Sequence, residues 1–302
     1  MILGELNNNL KTIIMIKKTR KYLSIVISIL LVILISLTIK IFIFEIYDIK
    51  SSSMEYTLLE GDKILVNKLV YGPKVPSSIE EIPWLNLFCP QHAKHKQNLY
   101  RRINGLSKVQ NGDIVVFLHP YNNAKGILIK RCIGLPGDTI EVRNGKIFIN
   151  NYIFNDSKYI NPLPAVDSNL INIHIPDKHT FLNEVNQSWT NDNFGPIIIP
   201  FEGMSINFTL ENIRMYKKAI GFSENNIIKE HNGKIYLEGI ETTKYTFLKN
   251  FYFMIGDNRN ISIDSRDWGF VPEENLIGKA SIILFSNNKD GVNIGRFFKF
   301  IN

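Results

Sequence analysis

Three short stretches carry residues that could do covalent chemistry together. The first is Ser51-Ser52-Ser53-Met54-Glu55-Tyr56-Thr57-Leu58, the second runs from Lys130 and Arg131 through Gly134 and Pro136 to Asp138, and the third runs from Gly256-Asp257-Asn258-Arg259 through Ser262, Asp264 and Arg266 to Pro272. A serine hydroxyl becomes a nucleophile when a neighbouring base takes its proton, and a lysine serves as that base when burial disfavours its ammonium form. Such Ser–Lys pairing is a known variant of nucleophile activation. Lys130 follows the apolar run Ile127-Leu128-Ile129, where strand alternation can turn it inward. None of the three stretches contains a histidine, and the nearest to the second, His119, precedes Pro120 in a polar loop. A Ser–His–Asp arrangement is therefore poorly supported. Taken singly, each stretch also has a plain structural reading, as a polar linker, a solvated strand residue or a salt-bridged turn; their combination is what points to catalysis.

Other chemistries find less support. The two cysteines, Cys89 and Cys132, make no disulfide framework and are expected to be free. His92 and His95 lie near Cys89, but one thiol and two imidazoles without a fourth ligand do not make a zinc site, so no metal and no cofactor is expected. The net charge of +7 is concentrated at the N-terminus, in Lys11, Lys17, Lys18, Arg20 and Lys21. Downstream there is no basic stripe interleaved with aromatics, which argues against nucleic acid as a partner.

The elements that must position these residues begin with an anchor. Residues 22–44 are mostly apolar and carry no charge apart from Lys40, and roughly 20 such residues cross the hydrocarbon of a bilayer. Lys40 can snorkel to the headgroups. The run is too long for a cleaved signal peptide. Cations ahead of it predict a cytoplasmic N-terminus at 1–21 and an exported remainder. After residue 45 strand patterns dominate. Asn144-Gly145 and Asn232-Gly233, each between alternating runs, predict hairpins. Thr209 is a candidate cap for a short helix within 208–220. The division expected is a catalytic core at 45–154, with a loop insert at 76–107, an inserted lobe at 155–243 and the rest of the core at 244–302. The fold class is mainly β: a transmembrane helix, then an antiparallel β core with a smaller β-rich lobe inserted.

In their order, and with an anchor ahead of them, the three stretches resemble the sequence boxes of the bacterial signal peptidase I family. The run GDNR…S-x-DSR-x-WG-x-VP is highly specific, KR-x-x-G-x-PGD is specific, and S-x-S-M…TL is moderately so. The resemblance covers the anchor and most of the core, and the insert at 155–243 only loosely. It implies that Ser53 is the nucleophile and Lys130 the general base. It further implies that Ser51 joins the Ser53 N–H in an oxyanion hole, that Ser262 orients the lysine, and that Arg131, Asp257, Asp264 and Arg266 support the site. Ile49, Leu58 and Ile129 are expected to wall a shallow substrate pocket. The implied substrates are exported preproteins with small residues at −1 and −3 of the cleavage site. The implied place is the bacterial inner membrane, with the catalytic domain in the periplasm and the lipid bilayer as a second partner.

The chain departs from the family pattern at Lys50, Tyr56, Asn260, Ile261 and Asp267, none of them in the proposed dyad. Two other functions compete. A self-cleaving Ser/Lys repressor-type protease is cytosolic, which the apolar span opposes. An inactive membrane-tethered adaptor would have no reason to keep Ser53, Lys130 and Ser262 together.

Overall fold

The computed structural model describes residues 2–78, 82–83, 100–121, 126–155, 180–224, 226–288 and 291–301. Cys89, His92 and His95 lie outside the described residues, as does much of the expected insert at 76–107.

Helix α1 (Ile2–Thr38) runs through both the basic N-terminal stretch and the apolar one, with no proline to break its hydrogen-bond ladder. It passes through a π turn (Ile39–Ile43) straight into strand β1 (Phe44–Asp48). The stretch Met15–Ile43 is long and apolar enough to cross a bilayer, and its most apolar window is not buried within the protein. Lys68 closes the joint between helix and sheet. Its Nζ donates to the Lys40 carbonyl at 2.8 Å and pairs with Glu45 at 2.6 Å, satisfying a carbonyl that the helix end leaves open.

The core sheet continues with β2 (Asp62–Asn67), β3 (Ile114–Leu118) and β4 (Ile127–Gly134). The chain then leaves it for a lobe of β5 (Thr139–Arg143), β6 (Lys146–Ile149), β7 (Tyr152–Ile153), α2 (Phe181–Val185), β8 (Phe194–Ile198), β9 (Ser205–Asn207), α3 (Leu210–Lys218), β10 (Ile228–His231), β11 (Lys234–Leu237), β12 (Ile240–Glu241) and β13 (Lys244–Thr246). It returns with β14 (Phe251–Ile255), α4 (Ser265–Trp268), β15 (Val271–Pro272), β16 (Leu276–Asn288), β17 (Gly291–Val292) and β18 (Lys299–Phe300). The core order is β1-β2-β16-β3-β4-β14-β15, with β17 and β18 also paired to β16. Every recorded strand pairing is antiparallel, and the fold is mainly β.

Local signals explain several elements. Asn144 and Gly145 both have positive φ, as do Asn232 and Gly233, which is what a two-residue hairpin turn of matching twist requires. The Thr209 hydroxyl caps α3 by accepting from the Asn212 N–H. The lobe, however, begins earlier in space than in the division at 155. The hairpin β5–β6 pairs through β5 with β8 and so belongs to the four-stranded sheet of the lobe. Long-range pairing decides that, and no local pattern reports it. β16 runs for 13 residues, and bulges near Ile277, Ser281 and Leu284 let this one strand serve β3 and β2 in turn.

Among the described residues three apolar clusters form the core. The largest joins the lobe to β14 through Ile197, Phe247, Phe251, Phe253 and Phe270. A second lies beneath the first chemical stretch and contains Ile49, Met54, Leu58, Ile64 and Ile283. A third contains Val115, Phe117, Cys132, Met254 and Trp268.

Candidate active site

Lys130 sits on β4, opposite Val115 of β3. Only 3% of it is exposed, and its Nζ donates to Ser53 Oγ at 2.5 Å across 77 residues of chain. Burial lowers the lysine pKa to about 8; the nearby Asp264 carboxylate works against that lowering and the Arg266 charge works with it. A neutral amine in contact with a serine hydroxyl is therefore accessible at mildly alkaline pH.

Ser53 lies in one turn of 3-10 helix, Ser52–Met54, after the extended Ser51. A first-turn N–H has no acceptor within its own helix, so the turn leaves the Ser53 amide free to meet a negative oxygen. Ser51 Oγ stands 3.3 Å from Ser53 Oγ. The two hydroxyls thus face one another across a bend, and not along a straight strand as simple alternation would have it. Ser52 lines a groove with Ile49, Lys50, Glu55, Leu59 and Glu60.

The third stretch braces the other two. The Asn258 N–H donates to the Ser53 carbonyl at 3.1 Å. Arg131, the residue after the lysine, donates from Nε and Nη2 to the two oxygens of Asp257, at 2.8 and 2.7 Å. The same guanidinium reaches the Gly112 carbonyl at 2.6 Å and Thr57 Oγ1 at 3.1 Å. Thr57 in turn donates to Asp257 Oδ2 at 2.5 Å. Asp264 caps α4, accepts the Gly256 N–H at 3.0 Å and holds Arg266 at 2.9 Å through both Nε and Nη2. Burial works to raise the Asp264 carboxyl pKa, but the Arg266 charge and hydrogen bonds outweigh it and hold the group below its usual range.

Ser262 is buried, and its hydroxyl has no hydrogen-bond partner among the described residues. A Cβ on Gly256 would stand 2.1 Å from Ser262 Oγ and 2.6 Å from the Ser53 carbonyl oxygen. Only glycine at 256 lets these two serines approach. Ser262 thus stands beside the nucleophile segment, without the bond to Lys130 that an orienting role calls for. Ile49 and Leu58 are buried in one cluster, and the partly buried Ile129 packs against it. Leu58 has no exposed surface, so it backs any pocket there and does not line it. His119 is occupied elsewhere: its ring meets Trp268 edge-on at 4.9 Å, and its Nδ1 accepts the Tyr121 N–H.

Two residues of the site carry no signal of their own in the sequence reading. Thr57 lies inside a quoted motif yet has no assigned role, and Gly256 opens another. A hydroxyl placed just after three serines and a methionine is the only hint for the first. For the second it is a glycine that ends an unbroken apolar strand.

A protein family described as signal peptidase, peptidase S26, matches residues 22–285. The signal peptidase I of Buchnera aphidicola subsp. Schizaphis graminum is 35% identical over 260 residues, covering 83% of this chain and 71% of that protein. That of Aquifex aeolicus is 31% identical over 261 residues, covering 86% and 83%. That of Helicobacter pylori strain 26695 is 31% identical over 259 residues, covering 84% and 79%.

Proposed function

The chain belongs to the signal peptidase S26 family, and from that premise we propose that Ser53 and Lys130 form its catalytic dyad. The protein is a serine peptidase that removes signal peptides from exported preproteins. The observation that carries the dyad is the 2.5 Å contact between a buried lysine of lowered pKa and a serine hydroxyl.

In the reaction, neutral Lys130 takes the proton of Ser53 as Oγ attacks the scissile carbonyl. The carbonyl electron pair moves onto oxygen, where the Ser53 N–H and the Ser51 hydroxyl receive it. Collapse of the tetrahedral intermediate breaks the C–N bond. The Lys130 ammonium gives its proton to the departing amine, which leaves as the N-terminus of the mature protein. Water then attacks the acyl-enzyme, with Lys130 again as base, and frees Ser53. Asp264 and Arg266 set the charge around the lysine, while Arg131, Asp257 and Thr57 join its strand to the serine loop. Ser262, packed across Gly256 from the Ser53 carbonyl, braces the nucleophile segment.

Small residues at −1 and −3 fit a surface formed by Ile49 and Ile129 and backed by Leu58. The apolar helix anchors the protein in a membrane. By the bias of Lys and Arg ahead of the span, the N-terminus stays in the cytoplasm and the site faces the periplasmic side of the inner membrane. The test is to incubate the detergent-solubilised full chain with a preprotein and sequence the new N-terminus. Wild type cuts after the signal peptide, and Ser53→Ala and Lys130→Ala leave the preprotein intact while folding normally. Cleavage by either variant at the wild-type rate rejects the dyad.

A further inference from the structure

The turn that follows Ser53 holds its shape under strain. The N–H groups of Thr57 and Leu58 both return to the Met54 carbonyl, at 3.1 and 2.8 Å. Inside that turn Tyr56 has a φ of 89°, a left-handed conformation that a bulky residue adopts only when its surroundings enforce it. On one side the enforcement comes from Asp257 and Arg131, which hold the Thr57 hydroxyl. On the other side it comes from the far end of the chain.

Arg296, in a short 3-10 turn (Ile294–Arg296), lays its guanidinium across the back of this turn. Its Nη2 donates to the Thr57 carbonyl at 3.0 Å, 239 residues away in sequence. Its Nε and Nη2 also grip the two oxygens of Asp62, at 3.1 and 2.5 Å. Asp62 is fully buried, and its carboxylate accepts the Leu59 N–H at 2.8 Å, at the exit of the same turn. One planar cation thus ties a backbone carbonyl of the turn to the carboxylate that closes it, a geometry that suits a guanidinium and not an ammonium.

The rest of the C-terminal segment holds Arg296 in place. The Phe297 ring lies 4.8 Å from that of Phe285. Strand β18 pairs with β16, and the Ile301 N–H donates to the Ser281 carbonyl at 3.0 Å. The Ile301 side chain joins the same buried cluster as Met54 and Leu58, directly under the turn.

We propose that Arg296 is a positioning residue for the nucleophile: by fixing Thr57 and Asp62 it holds the strained turn that aims Ser53 at Lys130. This rests on the reading of Ser53 as nucleophile. A 1 Å misplacement of a reacting group, caused by a change far from the chemistry, can cost on the order of a hundredfold in rate, so the effect falls on kcat.

The experiment compares wild type, Ser53→Ala, Arg296→Ala and Arg296→Lys as full-length chains in detergent. It measures kcat and KM on a preprotein, and the thermal midpoint of each variant. Arg296→Ala is expected to lower kcat about tenfold or more with KM within about twofold. Arg296→Lys keeps a charge for Asp62 but cannot also hold the Thr57 carbonyl in the same plane. It should recover most of the thermal midpoint and only part of kcat. If Arg296→Ala does not fold, Arg296→Lys decides: a folded lysine variant of reduced kcat supports the proposal. A wild-type kcat in either folded variant, in an enzyme that Ser53→Ala inactivates, overturns it. Full activity of Ser53→Ala overturns the nucleophile assignment itself and the proposal with it.

Discussion

Arg131 and Asp257 meet in a two-point ion pair with essentially no exposure to solvent, 0% for one side chain and 1% for the other. The pair joins the lysine-bearing strand to the loop after β14, across 126 residues. Removing one partner leaves the other charge buried and uncompensated, which typically costs about 3–5 kcal/mol. Asp257→Ala should therefore lower the urea midpoint strongly. Replacing both residues, Arg131→Met with Asp257→Ala, should cost less than the two single changes added together. Strict additivity of the three midpoints would show that the two charges are not coupled.

Activity should rise with pH through about 8, the value to which burial lowers Lys130, because only the neutral amine can accept the serine proton. Asp264 is a negative charge that favours the lysine ammonium. Asp264→Asn keeps the shape and an acceptor for the Arg266 guanidinium, and it should move the rising limb to lower pH. A kcat profile from pH 6 to 10 reads both effects. A limb that stays in place, or moves upward, would exclude this electrostatic link.

The same burial weakens the fold at neutral pH. Below about pH 8 the folded and unfolded chains both carry the Lys130 proton, and the folded one bears the whole cost of a buried ammonium. Between about 8 and 10.5 the unfolded chain binds more protons than the folded chain, so this penalty shrinks as pH rises. The displacement from 10.5 to about 8 corresponds to roughly 3 kcal/mol at pH 7. Lys130→Met should thus be inactive and more stable than wild type at pH 7, with the advantage fading toward pH 10.5. An inactive variant that is no more stable at pH 7 would show that the lysine is accommodated without penalty.

Ser51 and Ser52 are adjacent yet placed for different fates. Ser51 Oγ lies 3.3 Å from the Ser53 hydroxyl, whereas Ser52 lines the groove beside Glu55 and Glu60. Ser51→Ala should lower kcat by roughly a hundredfold or more, the scale of losing one oxyanion donor, with little change in KM. Ser52→Ala should stay within a few-fold of wild type. Equal losses in the two variants would remove Ser51 from the oxyanion hole.

Much of this organisation could be read from residue order because it is local. The two Asn-Gly turns, the Thr209 cap and the apolar helix each follow from a few neighbouring residues. The contact between Asp264 and Arg266 spans two residues, and motif reading reaches it. What escaped is long-range. The β5–β8 pairing that moves the lobe boundary, the Arg131–Asp257 pair and the reach of Arg296 to Thr57 all depend on segments that the sheet brings together. The bend at Ser52 escaped for a different reason. A single 3-10 turn changes which side chains share a face, and no propensity in Ser-Ser-Ser announces it.

The helix that runs without a loop into β1, with Lys68 closing the joint, makes the anchor a tether as well as an attachment. Phe44 and Ser53 are nine residues apart. Even fully extended, that length of chain spans only about 30 Å. The proposed nucleophile is therefore held in a thin shell beside the end of the apolar helix. A cleavable bond in a freely diffusing protein seldom enters that shell, whereas one carried just outside a membrane-spanning segment spends its whole life there. On the proposed function, this confinement would select substrates before any side chain is read, by favouring those that diffuse in the same membrane.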